Sequence, residues 1–310
     1  VTAVATVELA ALEKLGEINA FAQYMTYPTL YQKHLIPDDV LTVLNARWSS
    51  ERAVIPNVEF HLAKNVYILD EGLVFTADGA LISATRVNFS DDEVAQARAT
   101  LAAALANEQP IQRAGRAILC KKRGASNYGH WLVEMLPKAY WAMRKLNAWD
   151  WPVVVHKNNA EMQRVVRQSL AVLGVANEKI IETGHELVHF DELLLVNGLT
   201  SHAVFLSPLV MECMEFIAGK AKPGKTDAIY AVRSPARIRD FEDEPAARGL
   251  FQRHGYTPVE TASLSFLEQV GVFKSARRVV GAMGAALTNI IFCRPGTEVV
   301  MFTPASALEL

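Results

Sequence analysis

The sequence predicts an α/β protein of two domains that meet near residues 205–225. Three observations lead there. Short apolar runs of strand character alternate with helical patterns over most of the chain, joined by short connections, as in a parallel sheet covered by helices. The alternation pauses at residues 220–225, KAKPGK, the best linker candidate, and then restarts. At 310 residues and 51% hydrophobic, the chain has the material for two cores.

Residues 1–85 read as an N-terminal extension with a helix and a β-hairpin. Residues 3–22 look helical, and residues 65–82 alternate like strands around Asp78 and Gly79, a dipeptide of tight hairpin turns. The second segment, residues 86–205, opens on a capping box: Ser90, with Glu93 three residues on, precedes an alanine-rich helix. RAILC, PVVVH, KII and ELLLV follow as strands, and EMQRVVRQSLAVLG as a helix that Gly174 stops. Ser207 and Pro208, cap and first-turn proline, start the third segment, residues 206–310. There AIYAV, YTPVE, RRVVG and EVVMF are strands, and EPAARGLFQRHG, SFLEQVGVFKSA and AALTNIIFC are helices.

Composition removes several function classes. A net charge of −2 gives no whole-chain attraction to nucleic acid or to an anionic membrane. Cys120, Cys213 and Cys293 are far apart in apolar runs, which reads as reduced, buried thiols of a cytosol-like compartment. The most membrane-like run, VVGAMGAALTNIIFC, has 15 residues, short of the ~20 needed to span.

Residues 281–286, GAMGAA, join a buried strand to a helix carrying Thr288 and Asn289. Small residues at such a turn let backbone approach a ligand, and the helix N-terminus favours an anion. The turn is neither GxGxxG nor a P-loop, so it gives no support for NAD or a Walker-type site. Arg233, Arg237 and Arg239 follow the strand AIYAV, where guanidinium groups could grip phosphate, or pair with the acidic run DFEDE that follows. His130, Glu134 and Lys138 recur at i, i+4 and i+8, one helical face, beside large apolar residues. A histidine and a carboxylate in a crevice suit general base chemistry; an exposed ion-pair ladder is the plainer reading. Pro137 removes the bond to the Val133 carbonyl and should kink or end the first helical segment. GHELVHF contains H-E-x-x-H, but Gly184 and the strand-like flanks argue against the sustained helix that zinc proteolysis needs.

Together these motifs resemble glycosyltransferase family 61, including members tied to capsular polysaccharide synthesis. The family's N-[YF]-x-H-W-x-x-[DE]-x-L-P-[RK] segment is matched in full from Asn127 to Lys138. Arg233 with Arg237 or Arg239, then Asp243 and Glu244, stand where the family has arginines and an N-E pair. LSFLEQ follows, and residues 281–296 match G-x-H-G-A-x-L-T-N-x-x-F-x-x-P-G, with Met283 where histidine is usual.

The resemblance implies two Rossmann-like domains of the GT-B type and an inverting transfer from a nucleotide sugar to a surface glycan or lipid-linked glycan. On that footing Glu134 is the first candidate for catalytic base and His130 the second. Asn127, Arg233, Arg237, Glu244, Gly281, Gly284, Ala285, Thr288 and Asn289 are the candidate substrate and nucleotide contacts. No D-x-D occurs, so no metal or other cofactor is expected. No nucleic-acid partner is expected, and the setting is the cytoplasm or the inner face of a membrane. Two alternatives stay open: a nucleotide-sugar-binding module of the same fold without turnover, and a zinc metalloprotease using His185, Glu186 and His189.

Overall fold

A computed structural model describes residues 4–19, 22–24, 27–49, 52–201, 204–232 and 243–303. Among them strands and helices are mixed, an α/β protein. They form two compact units: residues 1–19 with 57–200, and residues 20–56 with 201–310.

Unit 1 is built on a nine-stranded sheet. Its path runs Thr6–Val7, Leu81–Ile82, Leu73–Thr76, Val58–Leu69, Val188–Asn197, Gln112–Leu119, Val153–His156, Ile180–Thr183, and Glu13–Ile18 pairs beside Val58–Leu69. The sheet is mixed. Gln112–Leu119 pairs in parallel with Val188–Asn197 and Val153–His156, and Val153–His156 with Ile180–Thr183. The strands from residues 58–82, expected as part of an N-terminal extension, join this sheet as an antiparallel meander. Short turns make that pairing available, since neighbouring antiparallel strands need no crossover. The expected turn at Asp78 and Gly79 is present, with Gly79 at φ +78° donating its N–H to the Thr76 carbonyl.

One expectation fails here. The described part of residues 3–22 is not the expected long helix: it holds two strands of this sheet, Thr6–Val7 and Glu13–Ile18, a one-turn 3-10 helix at Leu9–Ala11, and the beginning of Ala22–Tyr24, which pairs in a separate two-stranded sheet. Glu13–Ile18 pairs antiparallel with residues 58–62, so tertiary pairing overrides the local pattern. The helix of the first 85 residues lies instead at Asp38–Arg47, in unit 2.

Helices cover the sheet as the caps foretold. Ser90 and Glu93 complete their capping box at the start of Asp91–Ala106, with Val94, Ala97 and Leu101 turned into the core. Ala160–Val172 starts at Asn159, whose side chain accepts from the Met162 N–H, and is followed by Gly174 at φ +91°. The central core joins Ile68, Val74, Ala117, Val154, Phe190 and Leu193, all at most 1% exposed.

Unit 2 holds a wholly parallel four-stranded sheet in the order Thr257–Glu260, Ala228–Val232, Arg278–Ala282, Glu298–Phe302. Its first strand is internal. The chain goes to one side of it and then crosses to the other, so a topological switch point lies between Ala228–Val232 and Arg278–Ala282. In open α/β sheets ligands bind at the carboxyl ends of such a strand pair. The segment after Arg278–Ala282, expected as an α-helix, is a 3-10 helix over Ala285–Phe292. No helix among the described residues is long and apolar enough to cross a membrane.

Gly72 lies in the turn between Val58–Leu69 and Leu73–Thr76, packed against the backbone of Lys121. It sits at φ +109°, and a Cβ there would lie 2.6 Å from the Lys121 carbonyl oxygen. Gly72→Ala should therefore destabilise unit 1 by more than about 1 kcal/mol in denaturant unfolding. An unchanged midpoint would show that the contact relaxes freely.

Candidate active site

The parallel strands of unit 1 end side by side. His156 pairs with Thr183, and Leu119, two residues before Lys121, pairs with Val154. Lys121 thus emerges at the carboxyl edge, buried at 1% exposure, with its ammonium donating to Thr183 Oγ1 at 3.0 Å and to the Gly184 carbonyl. Burial pulls that ammonium down to about 8, although Glu186, Asp70 and Glu71 pull the other way.

The loop that follows is pinned from several sides. Gly124 N–H donates to Glu71 Oε2 at 2.9 Å, and the Arg123 guanidinium grips both oxygens of Glu93 at 2.9 and 2.6 Å. Asn127 then caps the next helix, its Oδ1 accepting from the N–H groups of Gly129 and His130 at 2.8 and 3.3 Å. Its side-chain oxygen thus fixes where His130 starts.

The helix itself answers the riddle of Pro137. It begins as an α-turn at Tyr128–His130, widens to a π-helix over Trp131–Met135, and resumes as α-helix over Leu136–Leu146. The Leu136 N–H reaches five residues back to the Trp131 carbonyl, so the bond Pro137 cannot make is absorbed by a local widening rather than by a break. Trp131 anchors this stretch: it is 1% exposed and its indole N–H donates to Ser169 Oγ at 2.9 Å.

Within that frame Glu134 is buried at 3% exposure between the His130 imidazole and the Lys122 ammonium. His130 Nδ1 lies 2.6 Å from Oε1, and the Lys122 ammonium donates to Oε2. Burial alone would raise the carboxyl's pKa, but the hydrogen bonds from His130 and Lys122 outweigh it and hold it at about 2. A carboxylate held that low is a weak proton acceptor. An ionised carboxylate only accepts, so Nδ1 carries the proton toward Glu134, and in the neutral ring the basic nitrogen is Nε2. Gly124 flanks the ring: a Cβ there would lie 3.3 Å from His130 Cδ2.

The geometry thus brings Asn127, His130 and Glu134 together and adds Lys122, which spacing along the helix could not reveal. The run Lys121, Lys122, Arg123 directly after a buried strand was the available signal. Lys138, on the same predicted face, is half-buried one turn beyond Glu134.

In unit 2 the turn after Arg278–Ala282 stands at the switch point. Gly281 is fixed by packing, since a Cβ would lie 3.1 Å from the Ala231 carbonyl and 3.2 Å from Leu287. Gly284 precedes the 3-10 helix in extended backbone, and Ala285 is exposed and Thr288 half-buried on its first turns. Asn289 is fully buried, its amide donating to Gln269 Oε1 at 3.3 Å and to the Ala286 carbonyl at 3.1 Å, so it holds the turn in place from within. Met283 engages its sulfur as acceptor for the Thr303 hydroxyl at 3.1 Å.

Glu244 starts the helix Glu244–Arg253 and accepts the Tyr230 hydroxyl from the first strand. Burial and then Glu244 push the Tyr230 phenol up, so it stays a donor. The other oxygen, Oε1, is buried without a hydrogen-bond partner among the described residues. Arg233, Arg237 and Arg239 lie outside the described residues.

The H-E-x-x-H match is not helical. His185 and Glu186 lie in a loop, and His189 is on the strand Val188–Asn197. His189 Nε2 is 2.7 Å from Asn65 Oδ1, and His185 is on Asp70 at 3.3 Å, so the two rings serve different partners and the zinc-protease alternative loses its geometry.

Glu134 makes stability pH-dependent. Its folded pKa of about 2 lies below the ordinary 4.5, so its contribution is complete above pH ~4.5 and is lost as pH falls toward 2. Urea unfolding of the parent should weaken over that window by up to about 3 kcal/mol more than Glu134→Gln. Parallel pH profiles for the two proteins would contradict the buried ion cluster.

Comparison with known families closes the assignment. The family described as Glycosyltransferase 61 matches residues 128–300, more than half of the 310-residue chain. Comparison with curated proteins gives no match. That span opens one residue after the Asn127 cap, takes in the His130 and Glu134 pair, and runs past the turn at residues 281–284. The chain belongs to glycosyltransferase family 61 and so to the enzymes that transfer sugars.

Proposed function

We propose that this glycosyltransferase inverts the anomeric carbon of a nucleotide sugar while transferring it to a hydroxyl of a surface polysaccharide, with capsular glycan as the acceptor type. In this reading the two units are Rossmann-like domains of the GT-B type. The reaction takes place in the cytoplasm, and a lipid-linked acceptor would bring the protein to the inner face of the membrane.

The observation that carries the mechanism is the buried array Lys122, Glu134, His130. His130, rather than Glu134, is the base. Its imidazole is partly open, with 27% of the side chain exposed, while the Glu134 carboxylate is nearly closed off at 4%. As the acceptor oxygen forms its bond to the anomeric carbon, its proton passes to His130 Nε2, and the bond from that carbon to the diphosphate oxygen breaks. Glu134 is a positioning residue: it fixes the Nδ1–H tautomer and stabilises the imidazolium that forms. Lys122 keeps Glu134 ionised and in place.

Unit 2 is the donor side of this reading. The turn at Gly281, Gly284 and Ala285, with the Thr288 hydroxyl, would take the diphosphate, and Arg233 and Arg237 would neutralise its charge as it leaves. Glu244 Oε1, at the start of the helix Glu244–Arg253, makes no hydrogen bond among the described residues and lies 4.0 Å from Arg248 Nε, so it could accept from a nucleotide hydroxyl. Asn289 supports the turn. With arginines in that role no divalent metal is required.

Release of nucleoside diphosphate, followed across a panel of nucleotide sugars and acceptors, tests the assignment. His130→Gln should lower kcat by about 10²- to 10⁴-fold with little change in donor KM. Full activity in that variant would remove His130 as base. Exhaustive treatment with a chelator should leave the rate within error; loss of turnover restored by a divalent metal would overturn the metal-free reading.

A further inference from the structure

In unit 1 a cavity of about 40 Å³ is lined by Lys121, Lys122 and Lys138, with Leu119, Thr85 and Asn197 among the other walls. Two of the three ammonium groups have acceptors: Lys121 on Thr183 and Gly184, Lys122 on Glu134. The third does not. Among the described residues Lys138 makes no hydrogen bond and no ion pair, although it is half-buried in the helix Leu136–Leu146. Its nearest carboxylate in sequence, Glu134, is already engaged by His130 and Lys122.

A half-buried lysine without a hydrogen-bond acceptor is unusual, and here only electrostatic attraction from Cys120 and Glu134 opposes the cost of its burial. Burial holds the Lys138 ammonium below its ordinary pKa, with Lys122 acting in the same sense against Cys120 and Glu134. The missing partner must accept, since an ammonium only donates. It must also be small. The cavity has roughly three times the least volume that holds one water, room for a charged substituent but not for a sugar ring.

The geometry points to an oxyanion subsite at Lys138 that receives the carboxylate or phosphate group of an acidic acceptor glycan. This deepens the proposed function, because it rests on unit 1 being the acceptor side. The ring bearing the group would stay outside the cavity, and only the charged substituent would enter. Acceptors carrying an acidic group would thus be preferred over neutral ones through a charge-assisted contact.

Thermal unfolding of the intact protein tests this without any sugar transfer, so the result is independent of the role of His130. Inorganic phosphate, acetate and glucuronate would be compared with sodium chloride at equal ionic strength. The parent should gain roughly 5 °C at a hundredfold excess of the bound anion over its Kd. Lys138→Met should gain nothing beyond chloride, and Lys138→Arg should keep a response. A response to acetate and glucuronate alone assigns a carboxylate, and one to phosphate alone assigns a phosphate ester. Without added anion Lys138→Met should unfold no earlier than the parent, as no native contact of the ammonium is lost. If that variant does not fold, Lys138→Gln carries the same comparison. A parent response no larger than that to chloride, or an equal response in the uncharged variant, overturns the subsite.

Discussion

The site in unit 1 depends on one buried carboxylate. Glu134 is closed off from water, and a charge in that position is tolerable only when paired and hydrogen-bonded. Its two partners come from different places: His130 from one turn back on the same helix, and Lys122 from the loop after the Gln112–Leu119 strand. The carboxylate therefore ties a helix to a strand end, and removing either partner would leave one buried carboxylate oxygen without its hydrogen bond. The surroundings follow from that requirement. Trp131 and Ser169 hold the helix, Glu71 and Glu93 hold the loop, and the π-turn keeps the two segments continuous across Pro137.

The same constraint underlies the proposed chemistry. A carboxylate and an imidazole side by side could share the work of a base in either order, and helix spacing is silent on the order. Burial and partnering favour His130 in the proposed mechanism. Hydrogen bonds from His130 and Lys122 weaken Glu134 as a proton acceptor, and the ionised carboxylate leaves Nε2 as the basic nitrogen of the neutral imidazole. In the proposed mechanism the residue that reads first as the base instead holds His130, to which that role is assigned.

Much of the fold could be read from the chain because its signals are local. Caps at Ser90 and Ser207 mark helices where they occur, and the runs AIYAV, RRVVG and EVVMF fall on strands of the unit 2 sheet. Where pairing is distant, local reading fails. Glu13–Ile18 is a strand because residues 58–62 lie beside it, which nothing within residues 3–22 announces. Likewise Lys122 reaches Glu134 across twelve positions through the fold, so no motif spacing could supply it. Asn289 illustrates the reverse case: a polar residue in a ligand-binding motif reads as a contact, yet its burial and its bonds to Gln269 and Ala286 make it a support.

The central claim is that the ionised Glu134 fixes the tautomer of His130. Nitrogen-15 NMR of the histidine rings, with His130 assigned by substitution, reads this directly through couplings between ring protons and each nitrogen. The account predicts that neutral His130 carries its proton on Nδ1 and leaves Nε2 unprotonated. A neutral ring protonated on Nε2 would contradict it, because Nδ1 would then turn a lone pair toward a carboxylate and could not be oriented by it.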